Sequence, residues 1–349
     1  MKRHQGALYA IAAAVLFGAS TPAAKPLLGS ASPLLVAGLL YLGSGVGLSI
    51  VRLFEIRRRS METPLRRSDW PWMFGSIVFG GIVGPVLLMT GLARTPAATT
   101  SLLLNLEGLF TALLAWLAFR EHASRRTVLG MLAILAGGVI LAWSGSQSSS
   151  SIVGLLCIGG ACLAWALDNN LTRNISGSDP LQIAGVKSLT AGIVNTSLAV
   201  FVTHATFPGA GAIAGAALIG FFGYGASLVL FVLALRNLGT ARTGAYFSTA
   251  PFIGAALAFV SGSGMLNAQF GLAAGLMGIG VWLHLTETHS HEHTHEATEH
   301  EHVHTHDVHH QHAHLPGDPK TEPHSHRHRH EPIRHAHPHF PDVHHLHQH

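Results

Sequence analysis

The feature that most constrains the fold is a succession of ten apolar stretches between residues 6 and 285. Each is close to the roughly 20 residues that a helix needs to cross the hydrocarbon core of a bilayer. Because lipid offers the backbone no hydrogen-bond partners, segments that cross it form helices or closed barrels, and these stretches lack the alternation of barrel strands. The sequence therefore predicts an all-α integral membrane protein. Its ten predicted transmembrane helices span residues 6–24, 33–53, 70–93, 97–119, 127–143, 152–172, 181–203, 212–235, 240–261 and 268–285.

Composition agrees with a membrane protein rather than a soluble one. Hydrophobic residues make up 48% of the chain and charged residues 11%, against roughly 25% charged residues in soluble proteins. The two cysteines, Cys157 and Cys162, are five positions apart within one apolar stretch, which excludes a disulfide framework and a CxxC metal site. No Ser/His/Asp arrangement or glycine-rich phosphate loop indicates an enzyme, no cofactor is required, and nothing indicates a nucleic-acid partner.

The positive charges in the links between spans predict the orientation. If the spans alternate in direction, all the link Lys and Arg residues except Lys25 and Arg94 lie on the side of the N-terminus. Cytoplasmic links of membrane proteins carry an excess of these residues. We therefore expect both termini in the cytoplasm, in a bacterial inner (plasma) membrane, with the first stretch retained as a span rather than cleaved as a signal peptide.

The chain divides into two similar halves. Segments 17–25 and 165–173 both start with an aromatic residue and end with a cation eight positions on, and segment 97–116 aligns without gaps with 240–259. Because each half has five spans, the second half enters the membrane from the opposite face, an arrangement typical of alternating-access carriers with a site near the midplane. The predicted domains are a first repeat (1–145), a Ser-rich linker (146–151), a second repeat (152–286) and a histidine-rich tail (287–349).

These features resemble the EamA-type transporters of the drug/metabolite transporter superfamily. The resemblance rests on the five-plus-five arrangement, the small-residue and cation pattern that closes the first span of each half, and the fourth-span segment 102–121. It covers about residues 6–285 and implies a ten-helix bundle with cytoplasmic termini that exports or exchanges small solutes. This chain has Gly108 where the family usually has Pro, and Glu107 places an acid beside it.

Three ionisable residues lie inside predicted spans: Glu107, Asp168 and Lys187. Such residues cost about 2.5–3.5 kcal/mol near a helix centre, so they usually face a cavity or a partner. Glu107 is interpreted as a carboxylate that couples transport to protons or binds a cation, because carboxyl groups removed from water can exchange protons near neutral pH. The alternative is a structural ion pair with Lys187. Lys187 is either that counter-charge or a ligand of an anionic solute.

Polar residues also cluster at the end of the sixth predicted span. Asp168 and Thr172 are four positions apart and so share one helix face, which either lines a pathway or caps the helix at the membrane interface. The predicted pathway residues are Glu107, Asp168, Asn169, Asn170, Thr172, Lys187 and Asn105.

Other residues are expected to shape or anchor the spans. Pro22, Pro85 and Pro251 are predicted to kink helices, because proline removes a backbone hydrogen bond and clashes with the preceding turn; the kinks are either hinges or packing devices. Lys25 and Arg173, at equivalent positions of the two halves, are interpreted as anchors that snorkel to the interface. Small-residue faces favour close helix contacts and a possible homodimer: Gly43/Gly47, Gly80/Gly84, Gly211/Gly215 and Gly271/Gly275.

The tail holds all but four of the 27 histidines. With few apolar residues it cannot bury a core and is expected to be disordered. In an extended chain every second residue shares a face, so the two imidazoles of a His-x-His pair can bind one metal ion, and imidazole suits Zn, Ni, Co or Cu. The alternative interpretation is a low-complexity segment whose charge responds to pH. The predicted metal ligands are His289, His291, His293, His295, His300, His302, His304, His306, His309, His310, His312 and His314.

The function inferred from the sequence is secondary-active export of a small solute by alternating access, with a metal-binding cytoplasmic tail. One form of this hypothesis couples the export to proton movement. Two alternatives stay open. One is a Ni, Co or Zn efflux carrier whose tail collects ions, and the other is a membrane-anchored metal-binding or regulatory protein without transport. The expected partners are the lipid bilayer and a small-molecule or metal-ion substrate.

Overall fold

The computed structural model describes residues 2–56, 63–118, 125–142, 151–238, 240–262, 267–286, 289–295, 299–304, 324–329 and 333–339. Within those ranges the chain forms fourteen α-helices and four short strands. The helices are α1 (Lys2–Ala24), α2 (Pro33–Ile56), α3 (Trp70–Ser76), α4 (Gly84–Ala93), α5 (Ala97–Leu103), α6 (Leu106–Ala118), α7 (Arg125–Ala142), α8 (Ile152–Arg173), α9 (Pro180–Phe201), α10 (Ala210–Ile219), α11 (Ser227–Leu238), α12 (Thr240–Phe247), α13 (Ala250–Val260) and α14 (Ala268–Leu285).

The described parts of the predicted spans are largely helical, which confirms the predicted all-α fold class; the count of ten membrane-crossing helices stays a prediction. Two of the described helices, α9 and α14, begin at capping residues. The Asp179 carboxylate accepts hydrogen bonds from the backbone N–H groups of Leu181 and Gln182, with Pro180 in the first turn of α9, and the Asn267 side chain accepts one from Phe270 at the start of α14. Both satisfy backbone donors that a helix start leaves unpaired. Six helical segments of the described chain are long and apolar enough to cross a membrane: Gln5–Gly29, Pro33–Phe54, Arg67–Ala93, Ile152–Arg173, Pro180–Phe201 and Ala210–Leu238.

The fourth and ninth predicted spans are interrupted; the sequence analysis predicted a kink at Pro251 in the ninth span but no irregularity in the fourth. α5 and α6 are separated at Leu104 and Asn105, and α12 and α13 at Ser248 and Thr249. In the first case the Asn105 side chain donates to the carbonyl of Leu102 at 3.0 Å, a local bond that competes with helical pairing. In the second, Pro251 follows the break and lacks a backbone N–H. Both halves therefore carry a discontinuous helix at the same place in the repeat.

A π-helical segment occurs in the third and eighth spans. Ile77–Val83 joins α3 to α4 and Gly220–Ala226 joins α10 to α11. Pro85 is the second residue after the first π segment, whereas Pro22 lies inside the continuous helix α1. π segments within α-helices are rare and frequent at functional sites, and here they occupy equivalent positions of the two repeats.

The two halves pack with a matching set of contacts. α2 lies along α9, and α7 lies along α14, so each of these contacts joins equivalent spans. α1 packs on α11 and α13 of the second half, and α8 packs correspondingly on α4 and α6 of the first half. This exchange of partners is what a pseudo-twofold relation between two repeats produces.

Glycines bring α2 and α9 into close contact. A Cβ at Gly38 or Gly45 of α2 would collide with backbone atoms of Thr196 or Leu189, and one at Gly192 of α9 would collide with the backbone of Leu42. Among the predicted small-residue faces, Gly43 and Gly47 likewise contact Ala217 and Phe221 within the chain, whereas Gly271 and Gly275 face open space. The predicted homodimer stays a prediction.

The tail differs from the expectation of complete disorder. β1 (His289–His295) pairs antiparallel with β4 (Ile333–His339), and β2 (Glu299–His304) pairs antiparallel with β3 (His324–Arg329). The period-two pattern of the sequence suits extended backbone. An isolated two-stranded ribbon is marginally stable in water, so the tail is still expected to lack a packed core. Among the predicted metal ligands, His306, His309, His310, His312 and His314 lie outside the described residues.

Candidate functional site

A buried ion pair lies where α3, α8 and α9 meet. The Lys187 ammonium donates to Oδ2 of Asp168, and the two residues keep only 3% and 6% of their surface exposed. Oδ1 of Asp168 accepts from the hydroxyls of Ser76 at 2.5 Å and Thr172 at 3.0 Å. The carboxylate is thus paired and fully hydrogen-bonded, the condition under which a buried charge is tolerated.

Glu107 has a different partner from the one expected. The side-chain amide of Asn169 donates to Oε1 of Glu107 at 2.7 Å, and Lys187 forms its ion pair with Asp168. The alternative that Glu107 forms a structural ion pair with Lys187 is therefore wrong, because the ammonium of Lys187 pairs with Asp168. Glu107 is partly exposed, whereas Asp168 and Lys187 are buried.

The π segment of the third span supplies the wall of this site. Pro85 has no N–H, so the carbonyls four and five residues before it, those of Gly81 and Gly80, receive no backbone bond from that position. The Gly80 carbonyl instead accepts from the Tyr41 hydroxyl at 2.8 Å and the Trp165 indole at 3.1 Å. The Gly81 carbonyl accepts from the Asn195 amide at 3.1 Å. Side chains of three other helices therefore hold this irregular backbone in place.

Gly80 also allows the ion pair to approach. A Cβ at Gly80 would collide with Oδ2 of Asp168 and lie 2.6 Å from Nζ of Lys187. The absence of a side chain at this position is therefore a requirement of the buried pair.

The second repeat has the same geometry without the charge. Gly223 holds the position of Gly80 in the second π segment, and its Cβ would lie 2.5 Å from the Cβ of Ser20. Ser20 aligns with Asp168 between the repeats. The ionic site is therefore confined to one side of the pseudo-twofold relation, and the pattern Ser20 against Asp168 was the sequence signal that could have shown this.

Aromatic rings pack beside the site across the boundary between the halves. Phe17 contacts Trp165 at 5.6 Å and Tyr224 at 5.9 Å between ring centroids, and Tyr41 contacts Tyr224 at 5.3 Å. The Tyr224 hydroxyl is buried, close to the side chain of Ser20. Phe17 and Trp165 start the matching segments of the two repeats. Sequence reasoning did not identify Tyr41 and Tyr224, because single aromatic residues in apolar spans carry no distinguishing pattern.

The remaining predicted residues have local roles in the structure. Asn105 binds Leu102 at the break between α5 and α6, and the Asn170 amide donates to the Ala166 carbonyl of its own helix at 2.8 Å. Lys25 was expected to snorkel but instead donates to the carbonyls of Leu92 and Thr95. It thereby satisfies acceptors left unpaired at the end of α4.

A separate cleft lies at the links between the first and second spans and the seventh and eighth. Its cavity volume is about 380 Å³, it is lined by residues 28–32 and 204–206, and it includes none of the predicted pathway residues. Among the side chains that the structure describes, no three His, Cys, Asp or Glu residues gather as a metal site.

The EamA-like transporter family matches the chain twice, over residues 4–143 and 152–286. The chain belongs to this family. An uncharacterized transporter of Methanothermobacter thermautotrophicus is 29% identical to this EamA-like chain over 293 residues, which cover 80% of this chain and 84% of that protein. The uncharacterized transporter YvbV of Bacillus subtilis is 26% identical over 153 residues, 44% of this chain and 48% of that protein.

A solved crystal structure shares the fold. It superposes with a TM-score of 0.61 at 18% sequence identity, over 80% of this chain and 94% of that one. The family match confirms the resemblance inferred from the sequence and identifies a multi-pass membrane transporter built from two EamA-like repeats.

Proposed function

We propose that this EamA-like transporter is a secondary-active carrier that exports a small solute by alternating access, and that Glu107 is the residue at which a proton or a cationic group exchanges. The observation that carries the proposal is the difference in exposure between the three ionisable residues. Asp168 and Lys187 are sealed and paired, whereas Glu107 is partly exposed and held by the neutral amide of Asn169.

The charges of the cluster support a cationic partner. When all three groups are ionised, Glu107, Asp168 and Lys187 together carry a single net negative charge. An uncompensated charge within a bilayer is costly, so a positive charge is favoured beside Glu107. A proton and a cationic solute can both provide it, and competition between them for one carboxylate couples their movements.

The interrupted helices support movement around a central site. Both repeats break the same span, between α5 and α6 and between α12 and α13. Discontinuous helices of inverted repeats commonly frame the substrate sites of secondary transporters. Glu107 lies in the first turn of α6, at the break of the first repeat, where the positive end of the helix dipole stabilises a carboxylate.

The test is solute-driven proton movement in vesicles that contain the purified protein and a pH-sensitive dye. A panel of amino acids, amines, organic cations and metal ions is applied, and the active solutes are retested on Glu107→Gln. We expect this variant to lose proton movement, because glutamine keeps the hydrogen-bond geometry but cannot ionise. Gly108→Ala is the matched control, since a Cβ there meets open space. Undiminished solute-driven proton movement in Glu107→Gln contradicts the proposal.

Export of a transition-metal ion is a second candidate, favoured by the histidine-rich tail. In this form the tail gathers ions at the cytoplasmic mouth of the carrier. Zn²⁺, Ni²⁺ and Co²⁺ belong to the vesicle panel for this reason, and proton movement driven by these ions alone supports metal export over export of an organic solute.

A further inference from the structure

The strand pairing in the tail brings histidines from distant parts of the sequence into opposition. In the first sheet His289, His291 and His293 lie directly opposite His339, His337 and His335. In the second sheet His300, His302 and His304 lie directly opposite His328, His326 and His324. Because residues two apart share one face of a strand, each sheet carries three successive His–His pairs on a single face.

The positions between these histidines favour the same register. Glu299 is directly opposite Arg329, and Glu301 is directly opposite Arg327. Opposite charges at directly opposed positions stabilise a strand pair. A slip by one residue would place histidine opposite arginine or glutamate and move the histidines of one strand to the other face. In this register the second sheet thus places histidine opposite histidine and glutamate opposite arginine.

The spacing of these positions suits a metal ion. Directly opposed residues have Cβ atoms about 4.5–5.5 Å apart, and neighbouring residues on one face are separated by about 6.5–7 Å along the strand. Two successive pairs therefore place four histidine positions at the corners of a small rectangle. Four nitrogen ligands fit the tetrahedral preference of Zn²⁺, and imidazole also suits Cu²⁺ and Ni²⁺.

We propose that the directly opposed histidine pairs of the two tail sheets form binding sites for divalent transition-metal ions, at least one in each sheet. The site depends on pairing and not merely on the number of histidines. A bound ion joins residues twenty or more positions apart in the sequence and so closes the chain segment between them. This proposal concerns the tail and does not rest on the proposed transport activity.

The experiment uses full-length protein in detergent and separates register from composition. The shifted variant combines His326→Arg, Arg327→His, His328→Arg and Arg329→His, which exchanges neighbours and keeps the composition. It moves two histidines of β3 from the paired face to the other face. Zn²⁺ affinity is measured by competition with a chelator, and bound Zn²⁺ by elemental analysis after dialysis.

We expect the shifted variant to bind Zn²⁺ at the second sheet at least about tenfold more weakly, since changes even in the surroundings of a metal ligand cost about 10–100-fold. The matched control combines Glu301→Arg and Arg327→Glu, which keeps the opposed charges and leaves every histidine in place; it should bind like the natural chain. Equal affinity and stoichiometry in the shifted variant, equal losses in both variants, or no Zn²⁺ binding by the natural chain would each overturn the proposal.

Discussion

At the scale of single residues, the partner of each charge decides its role. Lys187 neutralises Asp168 in a buried pair that Ser76 and Thr172 complete. Replacing a buried pair by apolar residues is often neutral, whereas removing one partner costs about 3–5 kcal/mol because the other charge is left uncompensated. The pair is therefore expected to act as a fixed structural contact.

Lys187→Met tests this role. We expect a large loss of thermal stability, because the carboxyl group of Asp168 is left buried without its cationic partner. The double variant Asp168→Leu/Lys187→Met should recover much of that loss, since it removes both charges. The measurement is the temperature at which the protein aggregates in detergent, followed by size-exclusion chromatography. A double variant as unstable as the single one would contradict this interpretation.

The sequence predicted which charged residues lie in spans but not how they pair. Glu107, Asp168 and Lys187 were recognised because charges are rare in apolar stretches. The choice of Asp168 over Glu107 as the partner of Lys187 depends on how α8 and α9 rotate against each other, and hydropathy leaves that rotation open. The Lys25 contact with α4 was missed for the same reason.

At the scale of elements, the π segment of the third span and Pro85 form one structural unit. The irregular backbone leaves carbonyls at Gly80 and Gly81 that side chains from α2, α8 and α9 satisfy. This unit lies against the ion pair of Asp168 and Lys187, so the local helix geometry and the ion pair stabilise each other.

Gly80→Ala should strongly destabilise the protein, because the new methyl group would collide with the carboxylate of Asp168. The control is Gly159→Ala in α8, where a Cβ meets open space and alanine favours the helix by about 0.5–1 kcal/mol. Thermal stability in detergent distinguishes them. If both variants melt like the natural chain, the close approach at Gly80 is not a requirement of the fold.

The Gly80 carbonyl has two side-chain donors, Tyr41 and Trp165. Either one should keep the carbonyl hydrogen-bonded when the other is removed. Tyr41→Phe or Trp165→Phe leaves one donor in place, so each is expected to cost about 1 kcal/mol. The double variant leaves a buried carbonyl unpaired, and its cost should exceed the sum of the two single costs. A double-variant cycle of unfolding free energies measures the coupling, and strict additivity would count against a shared acceptor.

Element boundaries were largely predictable, whereas the irregularities within them were not. The tenth span was predicted as residues 268–285 and is observed as Ala268–Leu285, because span length is set by the bilayer. The break at Asn105 and the π segment at Ile77–Val83 leave hydropathy unchanged. Pro85 and Pro251 mark two of the irregular places in the sequence, but the exact positions where backbone pairing changes depend on contacts that hydropathy does not show.

At the scale of the whole molecule, the distribution of Lys and Arg predicts that both termini lie in the cytoplasm. Fusions of a fluorescent protein or a periplasmic phosphatase after residue 286 test this arrangement. The expected result is fluorescence and no phosphatase activity. The reverse result would place the histidine-rich tail outside the cell and remove its proposed contact with cytoplasmic ions.

The glycine contacts between α2 and α9 have a mechanical consequence for the pairing of the halves. Interlocked side chains would resist the rotation of two packed helices relative to each other. At Gly38, Gly45 and Gly192 the two helices approach at the level of the backbone, so these positions have no side chains that interlock. We expect this contact to let one repeat rotate against the other with little rearrangement of side chains, while the two helices stay packed together.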